Sequence, residues 1–118
     1  MKLAVGVTCA MLLAMTSLAR AEHLEGQVRE AIEAAMQGEC SEVLSTMVKA
    51  SCEGQIDRMT QALSQLGPLA SVEFKGNEDT PSGSAEVYQA THANGKMLWL
   101  AIKAPSGKLS MFWSPGPQ

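Results

Sequence analysis

The chain has 118 residues, 46% of them hydrophobic, with 9 Lys+Arg against 12 Asp+Glu and a formal net charge of −3. That is room for one domain and not two. The acidic excess disfavours a nucleic-acid partner, because neutralising phosphates needs a concentrated basic face.

Residues 1–21 read as an export signal. Lys2 supplies the positive start, Leu3 to Met15 the apolar stretch, and Ala19-Arg20-Ala21 the small-x-small pattern that signal peptidase cuts. Cleavage between Ala21 and Glu22 is expected, leaving seven basic and twelve acidic residues and a net charge of −5. Cys9 lies inside the apolar stretch behind Thr8, where lipidation would want a small residue. No later apolar run reaches the roughly 20 residues that span a bilayer. The expected product is secreted, most simply to a bacterial periplasm, without stable membrane insertion: one domain over residues 22–113 and a flexible tail over 114–118.

The first half of that domain has helical periodicity. Leu24, Val28, Ile32 and Met36 recur every fourth position beside Ala31 and Ala35, one apolar stripe of an amphipathic helix that Gly38 would cap. Ser41 is placed to cap a short second helix burying Val43, Leu44, Met47 and Val48. A third begins near Cys52 or Glu53, presents Ile56, Met59, Leu63 and Leu66, and stops at Gly67-Pro68.

From Leu69 the period becomes two. Ala70, Val72 and Phe74 alternate with Ser71, Glu73 and Lys75, the pattern of a half-buried strand. A loop is expected over Asp79–Ser84, then a strand from about Ala85 to Ala93 with Glu86, Tyr88, Ala90 and His92 on one face. Asn94-Gly95 is a type I′ hairpin signal. Met97 to Ile102 is apolar on both faces, as in a strand covered on two sides. Pro105-Ser106-Gly107 turns the chain into Lys108–Trp113, and Ser114-Pro-Gly-Pro-Gln118 reads as unable to continue a sheet. The fold class is therefore α+β, N-terminal helices packed on a four-stranded antiparallel meander.

Once Cys9 leaves with the signal, Cys40 and Cys52 form an even pair in an oxidising compartment, which suggests one structural disulfide. An unbroken helix over residues 42–49 would advance about 12 Å, too far for a bridge that wants its Cα atoms within about 7 Å. The chain must double back or the helix must be shorter.

Chemistry is sparse. Nucleophile-elbow, phosphate-loop and zinc-helix motifs are absent, and no cofactor or metal pattern is present. Met36, Met47, Met59, Met97 and Met111 stand singly at helical or strand spacing, which suits core filling better than soft-metal ligation. Glu86, Tyr88 and His92 share one strand and could serve proton transfer. The plainer reading is an open or dimer-forming face, with Tyr88 half-buried and His92 wet at the strand's end.

The run Leu66-Gly-Pro-Leu-Ala-Ser-Val-Glu-Phe-Lys-Gly76, with Glu86-Val-Tyr88, Asn94-Gly-Lys-Met-Leu-Trp99 and Ser106-Gly-Lys108, resembles the small exported NTF2-like (cystatin-like) domains grouped as DUF3887. The resemblance implies a cone of helices on a curved sheet, often with an apolar pocket. It does not choose an activity, because the fold hosts many. The expectation is a non-catalytic binding or dimerisation module whose contact surface holds Tyr88, Met97, Trp99 and Trp113. Its partner would be a second copy through the sheet face, a small apolar ligand or an exported protein. A pocket isomerase or dehydratase using Tyr88, His92 or Glu86 is the alternative, and an exported inhibitor or immunity protein the third.

Overall fold

The computed structural model describes residues 24–118; the export segment, Cys9 and the Ala21–Glu22 cleavage site lie outside the described residues. Two helices, α1 (Glu25–Met36) and α2 (Thr46–Leu66), precede β1 (Leu69–Thr80), β2 (Gly83–His92), β3 (Gly95–Lys103) and β4 (Leu109–Pro117). The strands form one antiparallel sheet in the order β1-β2-β3-β4, the expected α+β meander.

Helix α1 follows its apolar stripe, burying Val28, Ala31, Ile32 and Ala35. It ends with Gly38 at φ +83° and the Glu39 amide on the Ala34 carbonyl, a left-handed cap. The short helix expected at Ser41 does not form. Leu44 instead makes a parallel bridge to Leu109, with the Ser45 N–H on the Leu109 carbonyl and the Leu109 N–H on the Val43 carbonyl. Three residues are thereby drawn onto the edge of β4. Ser45 takes over the cap, its hydroxyl accepting from the Val48 N–H, and α2 runs unbroken for 21 residues. Met47 consequently lies 83% exposed, outside the core assigned to it.

The Cys40–Cys52 bridge is present, with Cα atoms 6.0 Å apart. The geometric conflict disappears because Cys40 lies in the returning connection and Cys52 in the second turn of α2. The bridge holds that connection against the helix, so that Val43–Ser45 can reach β4.

The sheet departs from expectation in three places. β1 and β2 extend through the anticipated loop to a two-residue turn, Pro81-Ser82. The next hairpin turns at Ala93-Asn94, one residue early, with His92 opposite Gly95. No described non-glycine residue has positive φ, so this is not a type I′ turn. The Ala93 and Asn94 amides bond to the Pro68 and Leu66 carbonyls, fixing the turn on the end of α2. A Cβ on Gly95 would meet Leu66 Cδ2 at 2.9 Å, so a side chain there would push the Leu66 tip aside. Finally, residues 114–117 do continue the sheet: Leu98 opposes Gly116 and Met97 opposes Pro117. The Gln118 N–H reaches the Lys96 carbonyl, so Pro117, one residue back, aims its nitrogen at the open edge where no donor is needed.

Register assigns the faces. Phe74, Tyr88 and Trp99 form one inner row, and Asn77, Glu86, Ala101 and Phe112 the next. The helices cover this side, α1 against β1 and α2 against β4. Val87, Leu98, Leu100, Ile102, Met111 and Trp113 take the other parity. No described element covers that outer face, contrary to the two-sided cover expected of β3.

Candidate functional site

The three residues proposed for proton transfer are on the inner face, and the Tyr88 hydroxyl, a Glu86 oxygen and His92 Nδ1 are held in hydrogen bonds within the fold. Tyr88 is fully buried. Its hydroxyl accepts from the Leu24 N–H at 2.9 Å and donates to Glu86 Oε1 at 2.5 Å. Burial raises the phenol's pKa well above its ordinary value, the Glu86 hydrogen bond adds to this, and the Leu24 amide partly opposes it. A phenol held neutral with both valences used is a clamp at the entry of α1, not a poised acid.

His92 was expected to be wet; it is 4% exposed beneath the end of α2. Nδ1 lies 2.9 Å from the Gly67 carbonyl, and since a carbonyl only accepts, Nδ1 carries the proton. Nε2 is buried without a partner. Four residues along a strand separate His92 from Tyr88 by about 13 Å, so the two do not meet at one reacting atom.

Met97 and Trp99 are buried too, on the helix side of β3 and not on an open contact surface. Both nonetheless border a cleft of about 270 Å³ between α2 and β3–β4. Gln55, Arg58 and Met59 form its helical wall and Met97, Trp99, Phe112 and Ser114 its sheet wall, with Trp113, which takes the outer parity, bordering it from the strand edge. Spacings of three and four place the helical trio on one side of α2. Phe112 stacks on Trp99, centroids 4.3 Å apart and planes within 7°. Trp113, 55% exposed, lies at the rim. Of the four expected contact residues, the structure gathers Met97, Trp99 and Trp113 at this cleft and puts Tyr88 in the core behind it.

The sequence reading missed Gln55, Arg58, Phe112 and Ser114. Alternation with Met111 and Trp113 assigns Phe112 to the opposite face, but nothing in the pattern tells which face meets the helices. A register shift between Leu98 and Leu100 makes Ser114 and Pro115 the extra length of β4, and this brings Ser114 to the cleft. The helical trio does carry a signal: an arginine and a glutamine beside the apolar Met59.

Comparison with known protein families, with curated proteins and with solved structures found no match. The cleft has to be understood from its own chemistry. Its lining contains no carboxylate, imidazole or thiol, and its one hydroxyl, Ser114, accepts from the Gly116 N–H. Such walls can hold a molecule and have no general base to transform it.

Proposed function

We propose that this chain is an exported, non-catalytic binding module of NTF2-like type, whose site is the cleft beneath α2. The carrying observation is a concave wall on which Met59, Met97 and the stacked rings of Trp99 and Phe112 adjoin polar groups of Gln55, Arg58 and Ser114, and that no described element fills. The Cys40–Cys52 bridge supports export, since such bonds persist in oxidising compartments. Among the described residues no helix is long and apolar enough to cross a membrane.

The chain has two tryptophans, Trp99 and Trp113, and both border the cleft, so intrinsic emission reports directly on occupancy. Titration with a neutral apolar probe such as 1-naphthol is expected to shift that emission saturably. An emission unmoved by every small apolar probe would remove the cleft as a binding site. Mass spectrometry of the exported chain checks the address: the N-terminus should be Glu22 and the two cysteines oxidised.

A second reading draws on the outer face. Leu100 is only 4% exposed there although no described element covers it, because Val87, Leu98, Ile102, Met111 and Trp113 crowd around it. A contiguous apolar patch of this kind suits a second copy of the chain packed sheet to sheet. Sedimentation decides it. A monomer at several hundred micromolar eliminates the dimer and leaves the cleft untouched.

A further inference from the structure

We propose that the cleft takes a small amphipathic carboxylate, its acid group on Arg58 and its apolar body against Met59, Met97, Trp99 and Phe112. This rests on the binding reading above and names the ligand's chemistry. Charge is the first argument. The sequence after residue 21 is acidic, yet Arg58 is the sole charged residue among the eight that line the cleft.

Nor does the protein neutralise it. The two ion pairs formed among the described residues are Arg29–Glu33 and Lys49–Glu42. The positions one helical turn from Arg58 are Gly54, Gln55, Gln61 and Ala62, none of them acidic. Asp57 is adjacent in sequence, but neighbours one apart on a helix do not face each other. Arg58 therefore presents an unclaimed, planar guanidinium at an apolar wall, the donor geometry that carboxylates fit in pairs.

Hydrogen-bond capacity points the same way. Gln55 offers amide N–H groups, and the Ser114 hydroxyl, already accepting from Gly116 at 3.0 Å, retains its own proton to give. A ligand rich in acceptors suits such a lining. Size narrows the class further: about 30 Å³ per water makes 270 Å³ room for roughly nine waters, or a ligand of about ten non-hydrogen atoms. Inorganic phosphate would satisfy the charge but leave the aromatic wall uncovered.

The test is a tryptophan-emission titration of the full exported chain with 3-phenylpropanoate and octanoate, each against its uncharged amide, and with inorganic phosphate. At least one acid should bind no less than tenfold more tightly than its amide, and phosphate should not bind. Whichever acid wins tells whether the body is aromatic or linear. Arg58→Gln should abolish the tenfold gap, bringing acid binding down to that of the amide, with the thermal midpoint unchanged, since the exposed Arg58 side chain makes no bond to the described protein. Equal binding of acid and amide by the native chain, a gap that persists in R58Q, or phosphate binding as tightly as the acids overturns the assignment while cleft binding stands. Silence toward acids, amides and 1-naphthol alike overturns both.

Discussion

The two sides of the sheet's inner face differ in what holds them. Toward β1 and β2, Tyr88 is sealed under α1, its hydroxyl shared between the Leu24 amide and Glu86. Toward β3 and β4, Trp99 and Phe112 stack on each other beside a cleft, and the indole N–H has no partner. The residues that look chemical in the sequence are thus used to close the fold. The surface left available is nearly devoid of acid–base chemistry. A buried polar group must be bonded or it costs stability, so a core that contains a phenol bonds it first, here to the Leu24 amide and the half-buried Glu86. An open apolar concavity carries no such demand.

Four perturbations put that contrast at risk. Trp99→Ala removes the largest fully buried side chain, shared by core and cleft, and should cost about 3–5 kcal/mol in denaturant unfolding. A loss below about 1 kcal/mol would mean that Trp99 packs far less tightly than its burial implies. Opening the Cys40–Cys52 bridge with C40A/C52A releases a twelve-residue separation and the strand-like segment it restrains. About 3 kcal/mol is expected to go, with amide exchange rising first at Ser45 and Leu109.

Tyr88→Phe sharpens the comparison. It strands the Leu24 N–H, at about 1–3 kcal/mol, whereas a catalytic role would leave stability untouched. The same clamp has a pH signature. Because the folded phenol titrates above its unfolded value, the stability it contributes is complete below about pH 10 and is lost as pH rises toward the folded pKa. As the chain's one tyrosine, it can be followed by phenolate absorbance. The native midpoint should lie above the unfolded one, and equal midpoints would refute the clamp. Trp113→Ala should be the mildest, within about 0.5 kcal/mol as an exposed substitution, while reducing probe binding at the cleft rim.

Much of the architecture could be read from particular residues. The stripe Leu24–Val28–Ile32–Met36 and the stop at Gly67-Pro68 set helix boundaries because helical spacing and left-handed glycine caps are local properties. Strand-like segments separated by turn signals set the meander. The errors fell where a distant partner overrode a local preference. Ser41 is a good cap, but Leu44 gained more by pairing with Leu109. Asn94-Gly95 favours one turn, but the carbonyls of Leu66 and Pro68 fixed another one residue earlier. Pro115 and Pro117 look like a broken tail, yet an edge strand tolerates a proline whose nitrogen faces outward.

The candidate site was less legible. Strand alternation sorts Met97, Trp99 and Ala101 from Leu98, Leu100 and Ile102, because side chains alternate by covalent geometry. Which set faces the helices is not a property of the strand. It depends on where α1 and α2 land, and only their packing turned Tyr88 and His92 from an open face into core.

The net charge, the cysteine pair and the succession of helices by a four-strand meander, then, were legible in the sequence alone: they are matters of composition, parity and short-range caps. Tertiary structure decided the rest, namely that an acidic domain keeps one unpaired arginine at a cleft walled by methionines and stacked rings. That juxtaposition joins residue 58 on a helix to residues 97–114 on two strands, and no local preference encodes a contact across so much chain.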